Sequence, residues 1–440
     1  MRVLNTSRVT SYIIPRDYLG FILFCFIIAA MNLFGSGQAR ILGMVLAGSY
    51  SLYFLKMKKG VPVEFFLYFL WLIWAAAGYI VAEDKDKFLD IFKTVLQIGV
   101  MSFAIAGITY ERRSISTNFL SMALGGLIIL IFSVAEEGLG AVLNPLEKSR
   151  FTGTTSNPNF LAWNLVMLVM ALLYFWGKKK DWKIRSILGA LISISTYSII
   201  VTASRKTFLG LIVLIFAWLW TSYKNELKRR PSYFIVIFFL ILALYSVTDY
   251  MIENTYMGTR FREDIVDNPI TERRQGYHRI IFYKEGLKLL MDNPIFGIGL
   301  GNFQVYSEFD AESHSEYIEV VSSTGIIGAF LYFSIYILLW RRLTKIKKQS
   351  TDWEVSYTAG LLKAGMVMML VIGFGRPHFS NLLAWIYLSS AIGYAWSQER
   401  RLSYEGQLYY DWFTSREFRG RELGNDRGKM RCGEGDHVRY

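Results

Sequence analysis

The sequence predicts an all-α polytopic membrane protein of about 12 transmembrane helices, with one long polar segment on one face. Three observations carry this. Hydrophobic residues make up 53% of the 440 positions and charged residues only 19%, where a soluble domain holds about 25% charged residues. Mean hydropathy is +0.31, and apolar windows of ~17–25 residues, enough to cross a ~30 Å hydrocarbon core, recur along nearly the whole chain. Lys and Arg are abundant in every second polar segment between those windows and sparse in the others. The alternating ten-residue strands of a membrane barrel are absent from the pattern.

The predicted spans are 18–34, 40–55, 63–82, 88–108, 117–135, 159–176, 184–201, 207–223, 232–248, 316–340, 357–375 and 379–397. Arg2, Arg8 and Arg16 precede the first, which lacks a small-residue cleavage site and so reads as an anchor. Lys56, Lys58 and Lys59 separate the second and third spans, and a loop holding Asp84, Lys85 and Asp86 separates the third and fourth. Arg112 and Arg113 follow the fourth; a loop from Glu136 to Pro158, rich in Asn, Pro and Ser, turns into the sixth. Lys178, Lys179 and Lys180 close the sixth, and hardly any chain lies between the seventh and eighth. The segment 250–315 joins the ninth to the tenth, Arg341 to Lys348 bound the tenth and eleventh, and Arg376 sits before the twelfth.

Alternate short segments, beginning with the one that holds Arg2, carry about 22 Lys and Arg, against about 8 in the other set. The positive-inside bias therefore predicts cytoplasmic termini and an extracytoplasmic 250–315 loop carrying short helices. Residues 1–397 form the expected membrane domain. The polar, glycine-dotted tail 398–440, its acids and bases nearly balanced, is expected to be disordered in the cytoplasm.

Composition also excludes function classes. The net charge of +13 is held mostly in short loops where topology accounts for it, so nucleic acid is not an expected partner. Cys25 and Cys432 form neither metal spacing nor a disulfide framework, and His278, His314, His378 and His437 share no ligand spacing. Asp84-Lys85-Asp86 has the Asp-x-Asp form of metal-dependent glycosyltransferases, but reads as a solvated charge cluster. No internal inverted repeat points to a secondary transporter.

The chemistry-bearing residues lie on the predicted outer side. Arg205, in Thr202-Ala203-Ser204-Arg205-Lys206, must sit at the edge of the hydrocarbon region, where a charge either snorkels or has a task. Arg279 opens an amphipathic stretch with Ile280, Tyr283, Leu287, Leu290 and Met291 on one face. A cation there is poorly placed against the helix dipole, and a bound anion would relieve the misfit. Gly297, Gly299 and Gly301 lack the strand and helix of a nucleotide loop, and instead predict a tight turn in close approach to a ligand or another backbone. His314, among Glu308, Asp310, Glu312 and Glu316, has the residue type suited to proton transfer at neutral pH.

Taken in order, Asn157-Pro158-Asn159, Thr202-Ala203-Ser204-Arg205, Arg279, Pro294 to Phe303, His314-Ser315 and Gly325-Ile326-Ile327-Gly328 resemble the O-antigen ligase and Wzy-type polymerase superfamily. The resemblance implies a GT-C-like membrane glycosyltransferase of the bacterial inner (plasma) membrane. Its donor would be an undecaprenyl-diphosphate-linked glycan and its acceptor a glycan or lipid, with no metal ion and no cofactor. It further implies that Arg205 and Arg279 engage the diphosphate and that His314 assists the acceptor. Asn157, Asn159, Gly299 and Gly301 become candidate substrate contacts. The family's histidine is usually followed by Asn, and here by Ser315. A flippase of the same lipid-linked glycan, the rival reading, would place charges on the spans; only Lys93 and Lys363 stand out there.

Overall fold

The computed structural model describes residues 37–56, 60–143, 150–155, 157–229, positions within 242–259, 275–307 and 310–402. The predicted first span, most of the ninth and the tail from 403 lie outside the described residues.

Helices α1 (Gly37–Lys56), α2 (Val63–Ala77), α3 (Lys85–Arg112), α4 (Ser116–Leu143), α5 (Pro158–Lys178), α6 (Trp182–Val201) and α7 (Arg205–Arg229) precede α8 (Gln275–Asp292), α9 (Glu316–Gln349) and α10 (Trp353–Gly373). A last helix, α11, covers 382–402. No strand occurs among the described residues. Seven helices there, α3 to α7, α9 and α10, are long and apolar enough to cross a bilayer, and Val63–Ala77 is apolar but shorter. The last helix runs past 397 through Leu402, where Glu399 bonds Arg342, so Gln398 to Leu402 belong to the bundle and not to the tail.

Sequence-coded caps set several helix starts. Asp84 accepts the amides of Asp86 (3.1 Å) and Lys87 (2.9 Å) at the head of α3. Asn157 accepts those of Asn159 (2.9 Å) and Phe160 (3.3 Å) at the head of α5, where Pro158 takes the first-turn position that needs no amide. Asp181 and Asp352 do the same for α6 and α10. The cap makes the Asp84 carboxylate an acceptor for the amides of its own helix.

The core is the middle of the bundle. α5 is almost wholly enclosed, from Leu161 through Tyr174, and α10 lies along α7, close enough that Ile372 fills the space beside Gly210. Apolar side chains such as Ile73, Ile131 and Phe330 point outward, as expected where lipid is the solvent. The charges within the spans are managed. Lys363 Nζ lies 4.0 Å from the Trp340 ring centroid, Lys93 pairs with Asp90 at 3.6 Å, and Arg342 pairs with both Glu64 and Glu399.

Helix α9 breaks at Gly325 (φ 66°, ψ −173°), a conformation open essentially to glycine alone. The break frees backbone groups, and the segment after α8 takes them. Ser322 O accepts Ile298 N (2.9 Å), Ser323 O accepts Gly299 N (3.0 Å), and Ile326 N donates to Pro294 O (2.9 Å). The Pro294–Asn302 turn is thus spliced into the helix ladder, which keeps each of those groups bonded.

Candidate active site

The heads of α5, α7 and α9 and the ends of α6 and α10 meet at one end of the bundle, and Asn157, Asn159, Arg205 and His314 lie at those heads. The first group is the α5–α6–α7 corner. Only Thr202, Ala203 and Ser204 separate α6 from α7, so the chain reverses sharply. Ala203 makes this possible by taking a left-handed conformation (φ 51°) while fully buried. Such a residue costs about 1–3 kcal/mol and persists only where its surroundings impose it. Ala203 N bonds Ile200 O (2.9 Å), and Arg150 Nε donates to Thr202 O (3.1 Å). Asn159 Oδ1 accepts both Arg150 Nη2 (3.1 Å) and Ser204 Oγ (2.9 Å), and Ser204 Oγ lies 3.0 Å from Thr207 Oγ1. Asn157 and Asn159 are therefore the cap and the hub of this corner. Arg205 is the first residue of α7, half-buried, at the end of the helix where the backbone dipole is positive. A held anion is what both charges would favour.

The second group is the glycine turn. Gly297, Gly299 and Gly301 all have positive φ (69°, 86° and 72°). Of the two close approaches the sequence allows, to a ligand or to backbone, the structure displays the second for Gly299, which is buried against Gly78 O and Ala82. Gly301 lies at the rim of a cavity of about 200 Å³ whose wall includes Lys87, Asp90, Gln304, Glu312, Glu319 and Pro377. Asn302, fully buried, joins the turn to the head of α3: Oδ1 accepts Asp84 N (2.7 Å) and Nδ2 donates to Asp84 O (3.2 Å).

The third group surrounds His314. It is exposed, with a left-handed backbone (φ 53°) that His adopts more readily than most residues. Its ring meets Phe282 of α8 edge-on, centroids 5.9 Å apart at 72°. The residue before it is clamped, since Glu319 Oε2 accepts Ser313 N (3.1 Å) and Ser313 Oγ (2.6 Å). Two residues after it, the buried Glu316 accepts Tyr332 OH and the amides of His378 and Phe379 (3.1 Å for Phe379).

Those amides belong to the 374–381 loop between α10 and α11, which joins the three groups. Lys206 Nζ, next to Arg205, donates to Gly375 O (2.6 Å), and Tyr283 OH of α8 donates to Phe374 O (3.2 Å). Arg279 lies one turn before Tyr283 on α8; its side chain is outside the described residues. Within the loop, His378 stacks on Trp163 (5.0 Å, 23°) and its Nε2 lies 3.0 Å from Met369 O. Burial pushes its imidazole down to about 3, with Arg376 and Lys206 adding to the effect, so it stays neutral. Burial also lowers the Arg376 guanidinium, partly offset by Glu312.

Sequence reading passed over Lys206, Arg376, Glu316, Glu319 and Asn302 as site residues. Arg376 and Lys206 carried a signal, as bases in the charge-poor set of segments. Glu316, Glu319 and Asn302 carried none, because their partners lie on other elements.

Among the described residues, a strand-free helical bundle with seven helices long and apolar enough to cross a bilayer, and with a basic corner, a buried polar loop and an exposed histidine at one end, has the make-up of a multi-pass membrane protein. Residues 188–333, from α6 to the middle of α9, match the family model described as O-antigen ligase. The match spans about a third of the chain, and over that stretch the chain is similar to this family. No curated protein matches it.

Proposed function

We propose that this chain is a GT-C-like glycosyltransferase that moves a glycan from a polyprenyl diphosphate to a sugar hydroxyl on the outer face of the membrane, polymerising repeat units of a surface polysaccharide. The acceptor oxygen attacks the anomeric carbon, the bond to the diphosphate oxygen breaks, and the polyprenyl diphosphate leaves. Arg205 and Arg279 hold that diphosphate and stabilise the charge that grows on it, as guanidinium forks fit phosphate oxygens. His314 takes the hydroxyl proton. The observation that carries this reading is the 374–381 loop, bonded to Lys206 beside Arg205 on one side and to Glu316 beside His314 on the other. It links the anion-holding corner to the proton acceptor.

Transfer to a lipid or protein acceptor, as a ligase, is the second reading, and the description of the matching family favours it. Purified protein given one lipid-linked repeat unit separates the two. A ladder of products without added acceptor is expected for the polymerase; single addition onto an added acceptor supports the ligase, and neither product removes both. The reaction is also expected to need no divalent metal, since the two arginines supply the charge and Asp84 is engaged as a helix cap. Most activity should survive excess EDTA; loss restored by Mg²⁺ or Mn²⁺ would defeat the arginine mechanism.

The reading requires the site end to face outward, with both termini in the cytoplasm. Cysteine tags near Asp267 and Asp310 should react with an impermeant reagent in intact cells, and tags near Lys180 or Lys347 should not. Labelling at 180 from outside would reverse the orientation.

A further inference from the structure

We infer that Arg376 is a third cation of the donor site and binds a diphosphate oxygen of the lipid-linked substrate, an inference that rests on the diphosphate reading above. Arg376 is partly buried in the 374–381 loop, and its guanidinium lies 5.6 Å from the centroid of the Phe160 ring. Among the described residues no carboxylate stands within ion-pair distance of it; Glu312 acts on it only through space. A partly buried guanidinium elsewhere in the bundle is held differently. Arg342, at the far end of α9, is paired with two carboxylates, Glu64 and Glu399. Burying a cation without a partner costs several kcal/mol, so the arrangement around Arg376 is complete only when an anion joins it.

Position selects the anion. The carbonyl next to Arg376, that of Gly375, is held by Lys206, the neighbour of Arg205. The ring beneath its guanidinium, Phe160, follows Asn159, the hub that holds Arg150 and Ser204. Arg376 thus closes the corner that Arg205 opens, and the cation–π contact leaves the guanidinium edge, with its fork of N–H donors, for a ligand. A phosphate matches that fork. Two phosphates in one ligand can engage two separate guanidinium groups at one corner.

The test uses the full chain in phosphatidylcholine nanodiscs, which contain no anionic lipid, titrated with farnesyl diphosphate and, separately, farnesol. Wild-type protein should prefer the diphosphate. Arg376→Gln should weaken farnesyl diphosphate binding about ten- to a hundredfold, the loss expected for charge-assisted hydrogen bonds, and Arg376→Lys should restore part of it. Farnesol binding and the melting temperature should not change. Wild-type affinity in Arg376→Gln, with binding lost in Arg205→Gln, would overturn this inference and leave the diphosphate reading standing. No preference for the diphosphate in the wild type would overturn both. An equal loss for farnesol and diphosphate in Arg376→Gln would make the residue structural, and also overturns the inference. Weaker farnesyl diphosphate binding by the wild type once phosphatidylglycerol is added to the nanodiscs, with no such effect in Arg376→Gln, would assign the residue to lipid headgroups instead and overturn the inference.

Discussion

Replacing His314 by alanine should lower turnover by about 10²–10⁴ while donor affinity stays within about twofold, the pattern for loss of general-base assistance. The structure sharpens the design of that experiment. His314 sits at φ 53° between Ser313, clamped by Glu319, and Ser315, the N-cap of α9. Alanine is disfavoured in that backbone conformation, so His314→Ala alone mixes strain with lost chemistry. Asn accepts the left-handed region and keeps the backbone without supplying a base, so His314→Asn should lose as much turnover as His314→Ala. The neighbouring His378 cannot take over, because it is buried behind Trp163 and tied to Met369. Wild-type turnover in His314→Asn would remove the imidazole from the mechanism, whatever the alanine variant did.

Arg205→Ala and Arg279→Ala should each lower turnover by ~10²–10³, the range for deleting one preorganised charge-stabilising donor. Lys at either position should rescue only partly, since an ammonium is a point charge without the bidentate fork. Arg205 should also show the larger loss of donor affinity. It is half-buried at the first residue of α7, its position set by the strained Ala203 turn and the Asn159–Ser204 bond, so its charge is less screened by water. The measurement is donor binding and single-turnover rate for each variant, in protein shown to be folded and inserted. Unchanged binding and turnover in both alanine variants would sink the diphosphate clamp, leaving His314 without a leaving group to work against.

Most of the helical framework was legible from hydropathy alone. The predicted spans 88–108, 159–176 and 184–201 lie inside α3, α5 and α6, because a helix in lipid must bond its own backbone and so declares itself by length and apolar content. The caps were equally local: Asp84, Asn157, Asp181 and Asp352 each bond amides two or three residues ahead. Thr202-Ala203-Ser204-Arg205 announced a charge between two closely spaced spans, and Arg205 is the first residue of α7, with three residues between it and the end of α6. His314 was legible as a residue type in a polar segment, although nothing local gave its backbone conformation.

The splice at Gly325 was not legible. Hydropathy predicts an uninterrupted span from 316 to 340, since Gly325-Ile326-Ile327-Gly328 is apolar enough to continue a helix. What breaks it is a turn some thirty residues earlier that supplies alternative partners for Ser322, Ser323 and Ile326. The same holds for Asn302, whose two bonds reach Asp84 across 218 positions, and for Glu316, which reaches His378 and Phe379 across 62 and 63. The sequence by itself determined which segments form long apolar helices, where several of them start, and which charges had no topological reason to be where they are. Tertiary structure alone decided which of those charges meet. Burial in lipid is a property of each residue and accumulates along the chain, whereas a hydrogen bond between two buried groups belongs to the pair and exists only once the bundle has brought them together.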